Sequence, residues 1–306
     1  MRISVPDDFP VVLATSAVFP ALQDRATLSY HDTLPANEDG LLDRISLAEV
    51  VLNIRASSRF TARVFEACPQ LRMLSVWGTG IDHVDLEAAE RCDVEVRTTS
   101  GVSARSIAEH ALALLLAVAR GIPELDAATR AGQWPRGRGM QLYGKKCGVL
   151  GYGAVGRRFA QLASAIGMDV KAWTLHPERY PHMDFAPLEE IYETCDVISL
   201  HLRLSPETAG MVGAAQFARM KEGAILINTA RGAIVDEGAL VDALATKRIA
   251  GAGLDVFASE PLPPEHPMIA LPNAVLTPHC AGITPEALEA GLRMAVENIW
   301  DWTEGE

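Results

Sequence analysis

Cysteine is scarce in this 306-residue chain, and the five present form no pattern. Cys68, Cys92, Cys147, Cys195 and Cys280 are odd in number and include no C-x-x-C pair. That favours free thiols in a reducing cytoplasm over a disulfide framework or a zinc site. Basic residues are also in deficit: 27 Lys and Arg stand against 39 Asp and Glu, a net charge of −12. A nucleic acid or an anionic membrane surface demands a basic face, so neither is expected as a partner. The longest apolar run, Ala111 to Ala119, is far short of a membrane span. The start, MRISVPDDF, lacks the apolar stretch of a secretory signal, with Asp7 and Asp8 interrupting it early. No repeat at solenoid period and no low-complexity segment is present. What remains is a cytoplasmic globular protein, 49% hydrophobic and 22% charged, too long for one ordinary core and expected to form two domains.

Against these absences one stretch is dense with information: KKCGVLGYGAVG, residues 145 to 156. A short apolar run ending at Leu150 is followed by Gly151, Gly153 and Gly156 at G-x-G-x-x-G spacing, then by a helical pattern from Arg157 to Ile166. In a strand–turn–helix of this kind the first glycine permits the turn and the second lets a pyrophosphate approach the backbone. The third lets helix pack on strand. The N–H groups of Ala154, Val155 and Gly156 at the helix start then hold the anion. The stretch predicts a dinucleotide site.

Strand-like runs at Arg2–Val5, Ala26–His31, Val50–Ile54, Leu71–Val76 and Val94–Val96 alternate with polar helical segments, the signature of parallel βα units. The turn Gly78, Thr79, Gly80 after the fourth run reads equally as an anion-holding set of amides or an ordinary glycine loop. From Ser103 the pattern changes. Ser106 and Glu109 have capping-box spacing, and Ile107 to Arg120 is apolar almost all round, which predicts a helix buried on every side, by a second domain or a second subunit. Between Arg120 and Arg158 eight basic residues face only Glu124 and Asp126, either a solvated face or positive potential directed at bound phosphates.

After the glycine loop the rhythm resumes, with strands at Val170–Thr174, Val197–His201, Ala224–Asn228, Gly253–Val256 and Ala274–Thr277. With the strand before the loop these make the six of a dinucleotide-binding fold. A long helix from Pro285 to Trp302 closes the chain. Ligands of open parallel sheets lie off the carboxyl ends of the strands. Arg231, Glu260 and His279 follow three consecutive strands there, in INTARGAIVD, LDVFASEPL and VLTPHCAG. Each alone reads as structural. Together they are a cation for an anionic substrate, a carboxylate and a proton donor.

At this point the chain resembles the D-isomer-specific 2-hydroxyacid dehydrogenases. GTGIDHVD, GKKCGVLGYGAVG, CDVISLHLRLSPETAG, MKEGAILINTARGAIVDEGAL, GAGLDVFASEPLP and LTPHCAGIT have that family's form and order along essentially the whole sequence. The resemblance implies an α/β protein of two doubly wound parallel-sheet domains. A Rossmann nucleotide domain, residues 100–282, would be inserted into a flavodoxin-like substrate domain of residues 1–99 and 283–306. It implies hydride transfer between NAD or NADP and a small 2-keto or 2-hydroxy acid, in a homodimer without a metal. Arg231 is then the grip on the keto acid's carboxylate and keto oxygen, His279 the general acid, and Glu260 the carboxylate that fixes the histidine ring and favours the imidazolium. The substrate carboxylate meets the Gly78, Thr79 and Gly80 loop. Thr229, Ala230, Asp255 and Gly282 line the nicotinamide side, while Thr174 and His201 lie toward the adenosine.

Departures from the pattern are informative. VKAWTLHPER has Thr174, not an acid, at the position about twenty residues after the glycine loop where NAD enzymes hold the ribose, which leaves the choice of NAD or NADP open. His176 and Arg179 are the nearest candidates for a 2′-phosphate. Formate- and phosphite-oxidising relatives are disfavoured, since glutamine is expected where Glu260 stands in the first and lysine near Thr79 in the second. Arg55 sits at a strand end, either paired with a nearby acid or facing a second anionic group of the substrate. A dinucleotide-binding regulator or corepressor on the same fold is the alternative function.

Overall fold

The structure, a computed structural model, describes residues 1–137 and 139–305. It divides into two compact units, residues 1–103 with 283–306 and residues 104–282.

The first unit carries five parallel strands: β1 (Arg2–Val5), β2 (Thr27–Tyr30), β3 (Val50–Asn53), β4 (Met73–Val76) and β5 (Glu95–Thr98). Their order is β2-β1-β3-β4-β5, the flavodoxin-like arrangement. β3 and β4, VVLN and MLSV, are buried along their full length because helices cover both faces. Side chains alternate between those faces. Val50, Leu52 and Met73 meet Leu292, Val296 and Ile299 of the Pro285–Gly305 helix. Val51 and Leu74 meet Leu41, Ile45, Val64 and Phe65 on the other side. Ser75 Oγ donates to the Ala295 carbonyl at 2.7 Å, fixing the long helix to β4.

The second unit carries β6 (Lys146–Leu150), β7 (Asp169–Trp173), β8 (Val197–Leu200), β9 (Ile225–Asn228), β10 (Gly251–Leu254) and β11 (Ala274–Leu276). All are parallel, in the order β7-β6-β8-β9-β10-β11, so the chain changes direction across the sheet between β6 and β8. Beyond β7, where a nucleotide fold of order 3-2-1-4-5-6 has one more strand, the Ala186 amide donates to the Ala172 carbonyl at 2.9 Å. That single bond stands where a strand would be.

Two sequence expectations change here. The Ala104–Arg120 helix starts two residues before Ser106, so Ser106 lies inside it and is no N-cap. Its burial follows one stripe, Ala104, Ala108, Ala111, Leu114, Leu115 and Ala119, while Leu116 is exposed. That stripe lies on β10, whose glycines give it room: a Cβ at Gly251 would be 2.7 Å from Val118 Cγ1, and one at Gly253 2.8 Å from Leu114 Cβ. Gly251 and Ala252 are weak strand formers, which is why the apolar pattern starts this strand two residues too late, at Gly253.

The basic run from Arg120 to Arg158 is dispersed. Arg130 pairs with Asp126 one turn away, Lys145 with Asp196 and Arg158 with Gln161. Arg138 lies outside the described residues.

Candidate active site

The turn after β6 has the geometry its glycines suggest. Gly151 has φ +99°, and a Cβ on it would stand 2.5 Å from the His201 carbonyl oxygen. A Cβ on Gly156 would fall 1.9 Å from the Gly151 carbonyl oxygen, so helix and strand close only over glycine. Gly153 is the opposite case: apart from its own chain neighbours, no atom of the described residues lies within 4 Å of where its Cβ would be, leaving space for a ligand. It is also the N-cap of the Ala154–Ala165 helix and offers no side chain to the first amides. The positive end of that helix, with the amides of Ala154, Val155 and Gly156, is open to an anion, and a pyrophosphate fits it. Thr229, after β9, has a buried hydroxyl without a hydrogen-bond partner among the described residues, a second polar atom suited to a bound dinucleotide.

Thr174 directly follows β7, and its hydroxyl accepts the His176 amide at 3.3 Å. His176 Nδ1 is 3.3 Å from Glu178 Oε1. Arg157 stacks over Tyr180, 5.8 Å from the ring centroid. His201 requires a correction. Its ring turns into the core, 5.0 Å from the Phe159 ring with Nε2 2.9 Å from Ser199 Oγ, and burial pushes its pKa down to about 3. What it presents at the glycine turn is its backbone carbonyl, not an imidazole.

Arg231, Glu260 and His279 come together at the carboxyl ends of β9, β10 and β11. Asn228 ends β9 and staples the following turn: its Nδ2 donates to the Arg231 carbonyl at 2.9 Å and its Oδ1 accepts the Ala230 amide at 3.0 Å. Gly232 then passes against the next loop so closely that a Cβ would lie 2.0 Å from the Phe257 carbonyl carbon. This brings Arg231 beside the segment that carries Glu260. Glu260 Oε1 accepts the Phe257 amide at 2.9 Å, and Oε2 meets His279 Nδ1 at 2.7 Å. Partial burial raises the Glu260 pKa, but the hydrogen bonds from His279 and Phe257 and the charges of His279 and Arg231 outweigh it, so the net shift is downward. The carboxylate is therefore ionised at neutral pH. With Nδ1–H donated to it, the histidine has Nε2 left to carry a transferable proton. His279 has φ +52°, a left-handed conformation unusual for a non-glycine residue.

Asp255 shows what holds that conformation. It is fully buried just past β10. Oδ1 accepts the Thr277 hydroxyl at 2.6 Å and the Cys280 amide at 2.9 Å, while Oδ2 accepts the Ala281 amide at 2.8 Å. His110, from the Ala104–Arg120 helix, reaches the Thr277 hydroxyl at 3.0 Å and lies 3.6 Å from the same carboxylate. Ligand atoms of His110, Asp255 and Cys280 lie within 4.8 Å of one another, but protein donors occupy the carboxylate, and the group acts as a clamp on the turn bearing His279. His110 and Thr277 escape sequence reading; the signal available was a histidine in an otherwise apolar helix.

In the other unit, Gly78 has φ +143°, and its amide donates to Thr99 Oγ1 at 2.8 Å. It is therefore not a donor for a substrate, and the expectation is corrected for that residue. The amides of Thr79 and Gly80 donate to no protein acceptor among the described residues. Arg55 donates through Nη2 to the Pro10 carbonyl, lies 5.8 Å from the Trp77 ring centroid, and is within electrostatic reach of Asp8 and Asp7. Its Nε is buried without a hydrogen-bond partner among the described residues. Gly282 closes the second unit, and Ala230 is held by Asn228 as described.

A parallel nucleotide sheet with a glycine turn and a His–Glu–Arg cluster at its carboxyl edge defines a dinucleotide-dependent oxidoreductase class. Residues 112–281 match the model of the D-isomer specific 2-hydroxyacid dehydrogenase NAD-binding domain, and the chain belongs to this family. It is 36% identical over 315 residues to a glyoxylate reductase of Aeropyrum pernix, covering 97% of this chain and 93% of that one. Among solved structures, a Thermus thermophilus protein superposes with a TM-score of 0.89 at 38% identity, over 100% of this chain and 98% of that one. The acyclic imino acid reductase Bsp5, in complex with NADPH and D-Arg, does so with a TM-score of 0.92 at 28% identity, over 100% and 98%. Among the described residues no helix is long and apolar enough to cross a membrane.

Proposed function

We propose that this chain reduces small 2-keto acids to D-2-hydroxy acids with NADH or NADPH. The observation that carries the reading is the 2.7 Å His279–Glu260 pair with Arg231 beside it, all at the carboxyl edge of the NAD-binding sheet. The dinucleotide, held at its pyrophosphate by Gly151 to Gly156 and bounded by Thr229, Ala230 and Gly282, supplies the hydride when bound. Arg231 offers a planar fork of donors to the keto acid's carboxylate and keto oxygen and polarises the carbonyl. His279 Nε2 gives its proton to that oxygen as C2 is reduced, and Glu260 stabilises the imidazolium beforehand. Asp255 acts through its hold on the His279 turn. The open amides of Thr79 and Gly80 receive the substrate carboxylate, and Arg55 receives a second anionic group where the substrate has one.

NADPH use is supported by Thr174, which brings no carboxylate against a 2′-phosphate, and by the NADPH in the Bsp5 structure. A homodimer is supported by the exposed Leu116, Ile122 and Trp134 of the NAD-binding unit, and a cytoplasmic location by five cysteines that are all free. The test is oxidation of NADH and NADPH with glyoxylate, hydroxypyruvate, pyruvate and a branched keto acid, with chiral analysis of the product. Formation of D-hydroxy acid is expected. Tight dinucleotide binding without turnover of any of the four would overturn the reading in favour of a regulator.

A further inference from the structure

The first unit contains a buried polar chain that the reaction above does not use. Asp7 follows β1, Asn53 ends β3, and His83 lies in the loop after β4; they are 0%, 1% and 9% exposed. Asn53 Nδ2 donates to Asp7 Oδ2 at 2.6 Å and to the Arg55 carbonyl at 3.0 Å. A flipped amide would set its oxygen against those two acceptors, so the orientation is dictated by its neighbours. Asn53 Oδ1 is then the acceptor facing His83 Nε2 at 2.9 Å, and Nε2 carries the hydrogen.

The same asparagine holds the other end of that loop. Its backbone carbonyl accepts the Trp77 amide at 2.8 Å. Residues 77 and 83 are thus both tied to Asn53, and between them lie the Thr79 and Gly80 amides, which donate to no protein acceptor among the described residues. Asp7 in turn fixes Asn53 and also accepts the Ile54 amide at 2.9 Å and the Arg55 amide at 3.3 Å. Two further ties complete the frame: the Thr99 hydroxyl takes the Gly78 amide, and the Phe60 amide donates to the His83 carbonyl at 2.8 Å. Holding both ends of a short loop on one buried residue restricts what the amides between them can do, and an anion then meets donors already in place.

We propose that Asn53 and His83 are positioning residues for substrate binding: Asn53, anchored by Asp7, staples both ends of the 77–83 loop so that the Thr79 and Gly80 amides stand ready for the substrate carboxylate. The proposal rests on the reductase reading. Such a contact is made in the ground state and the transition state alike, so its loss raises KM more than it lowers kcat.

The test compares His83→Phe, which removes the donor while filling the space, with His83→Gln, which restores an N–H. His83→Phe is expected to raise the glyoxylate KM about tenfold or more, with kcat and the NADPH KM moving less than about threefold, and His83→Gln to recover most of the loss. Independently of turnover, amide hydrogen exchange across residues 77–85 should quicken about tenfold in His83→Phe, while residues 146–160 stay as in the natural protein. Asn53→Leu, if it folds, should show the larger change of the same kind. An unchanged glyoxylate KM, an unchanged exchange rate in the loop, or equal damage to kcat and both KM values without recovery by Gln would each overturn the proposal. A natural protein inert toward every keto acid would overturn the reductase reading instead, and the exchange comparison would still decide whether the staple exists.

Discussion

At the carboxyl edge of the NAD-binding sheet two polar side chains are half open, His279 at 47% and Glu260 at 35% exposed, beside the buried Asp255 and Asn228. At the same edge of the other sheet Asp7, Asp8, Asn53 and His83 are sealed. Asp8 shows how thoroughly, since it accepts the amides of Val12, Leu13 and Ala14 and the Tyr30 hydroxyl at 2.8 Å. Two sheets of one topology class therefore share buried polar clamps at their strand ends and differ in what stands beside them. Beside the clamps of the NAD-binding sheet stand half-open groups suited to proton transfer. In the other sheet the buried polar groups hold backbone amides, with Arg55 next to them. Such buried polar groups are tolerated because they are hydrogen-bonded, and losing one partner leaves the other uncompensated.

The sharpest way to break this contrast is at His279. His279→Ala should lower kcat for keto-acid reduction roughly 10²- to 10⁴-fold while cofactor affinity barely changes. Steady-state kinetics with a dinucleotide titration checks both, and near-normal turnover would remove His279 from the chemistry. No substitution in the sealed edge should lower kcat as much with the fold intact.

The next effect concerns Arg55. If it faces a ligand, Arg55→Ala should raise KM for a dicarboxylic or phosphorylated keto acid about tenfold or more and leave glyoxylate nearly untouched. Its bond to Pro10 and the nearby Asp7 and Asp8 favour a structural role, whereas its unpartnered Nε favours a ligand. Equal KM changes for both substrates would assign it to the frame.

A third test joins the two members of the open edge. Glu260→Gln removes the carboxylate that accepts the His279 Nδ1–H and fixes the ring, so kcat for keto-acid reduction should fall about tenfold or more. A pH dependence follows for stability. The Glu260 pKa is lower in the folded protein than its ordinary value. Its contribution is thus present at neutral pH and lost as pH falls through the folded value. The melting difference between natural protein and Glu260→Gln should therefore shrink in acid. An unchanged kcat together with a melting difference that does not depend on pH would mean that the pair is uncoupled.

What could be read in the sequence was whatever leaves a local pattern. Strand alternation follows from apolar runs of four or five residues, and the glycine turn from its spacing. Arg231, Glu260 and His279 were visible because each follows a strand directly. The remainder depends on contacts between distant segments. Gly251 looks unlike a strand until a helix is seen lying on it. His201 has a ligand-side position in the sequence, yet its ring packs on Phe159. Asn53 looks like a lone polar residue inside the apolar run Val50–Ile54, and nothing local says that it touches residues 7, 77 and 83. Polar residues whose partners are far along the chain have no period to betray them.

The smallest expected effect lies at the far end of the open edge, where the cofactor is chosen. Thr174 stands directly after β7, its hydroxyl occupied by the His176 amide, and carries no charge. An acid at this place hydrogen-bonds the ribose 2′-OH and repels a 2′-phosphate, so its absence removes the main discrimination against NADPH. NADH and NADPH are accordingly expected within about 2 kcal/mol of each other in kcat/KM. The neighbouring charges pull in both directions: Arg179 is a cation five residues beyond Thr174, while Glu178 lies 3.3 Å from His176. Thr174→Asp adds one carboxylate and should shift the ratio toward NADH by about tenfold, or about 1.4 kcal/mol. Paired kcat/KM values for both cofactors on both proteins decide it. Strict use of one cofactor by the natural protein would transfer the selectivity from Thr174 to the His176, Glu178 and Arg179 group, and alanine substitutions there would then be the ones to change the ratio.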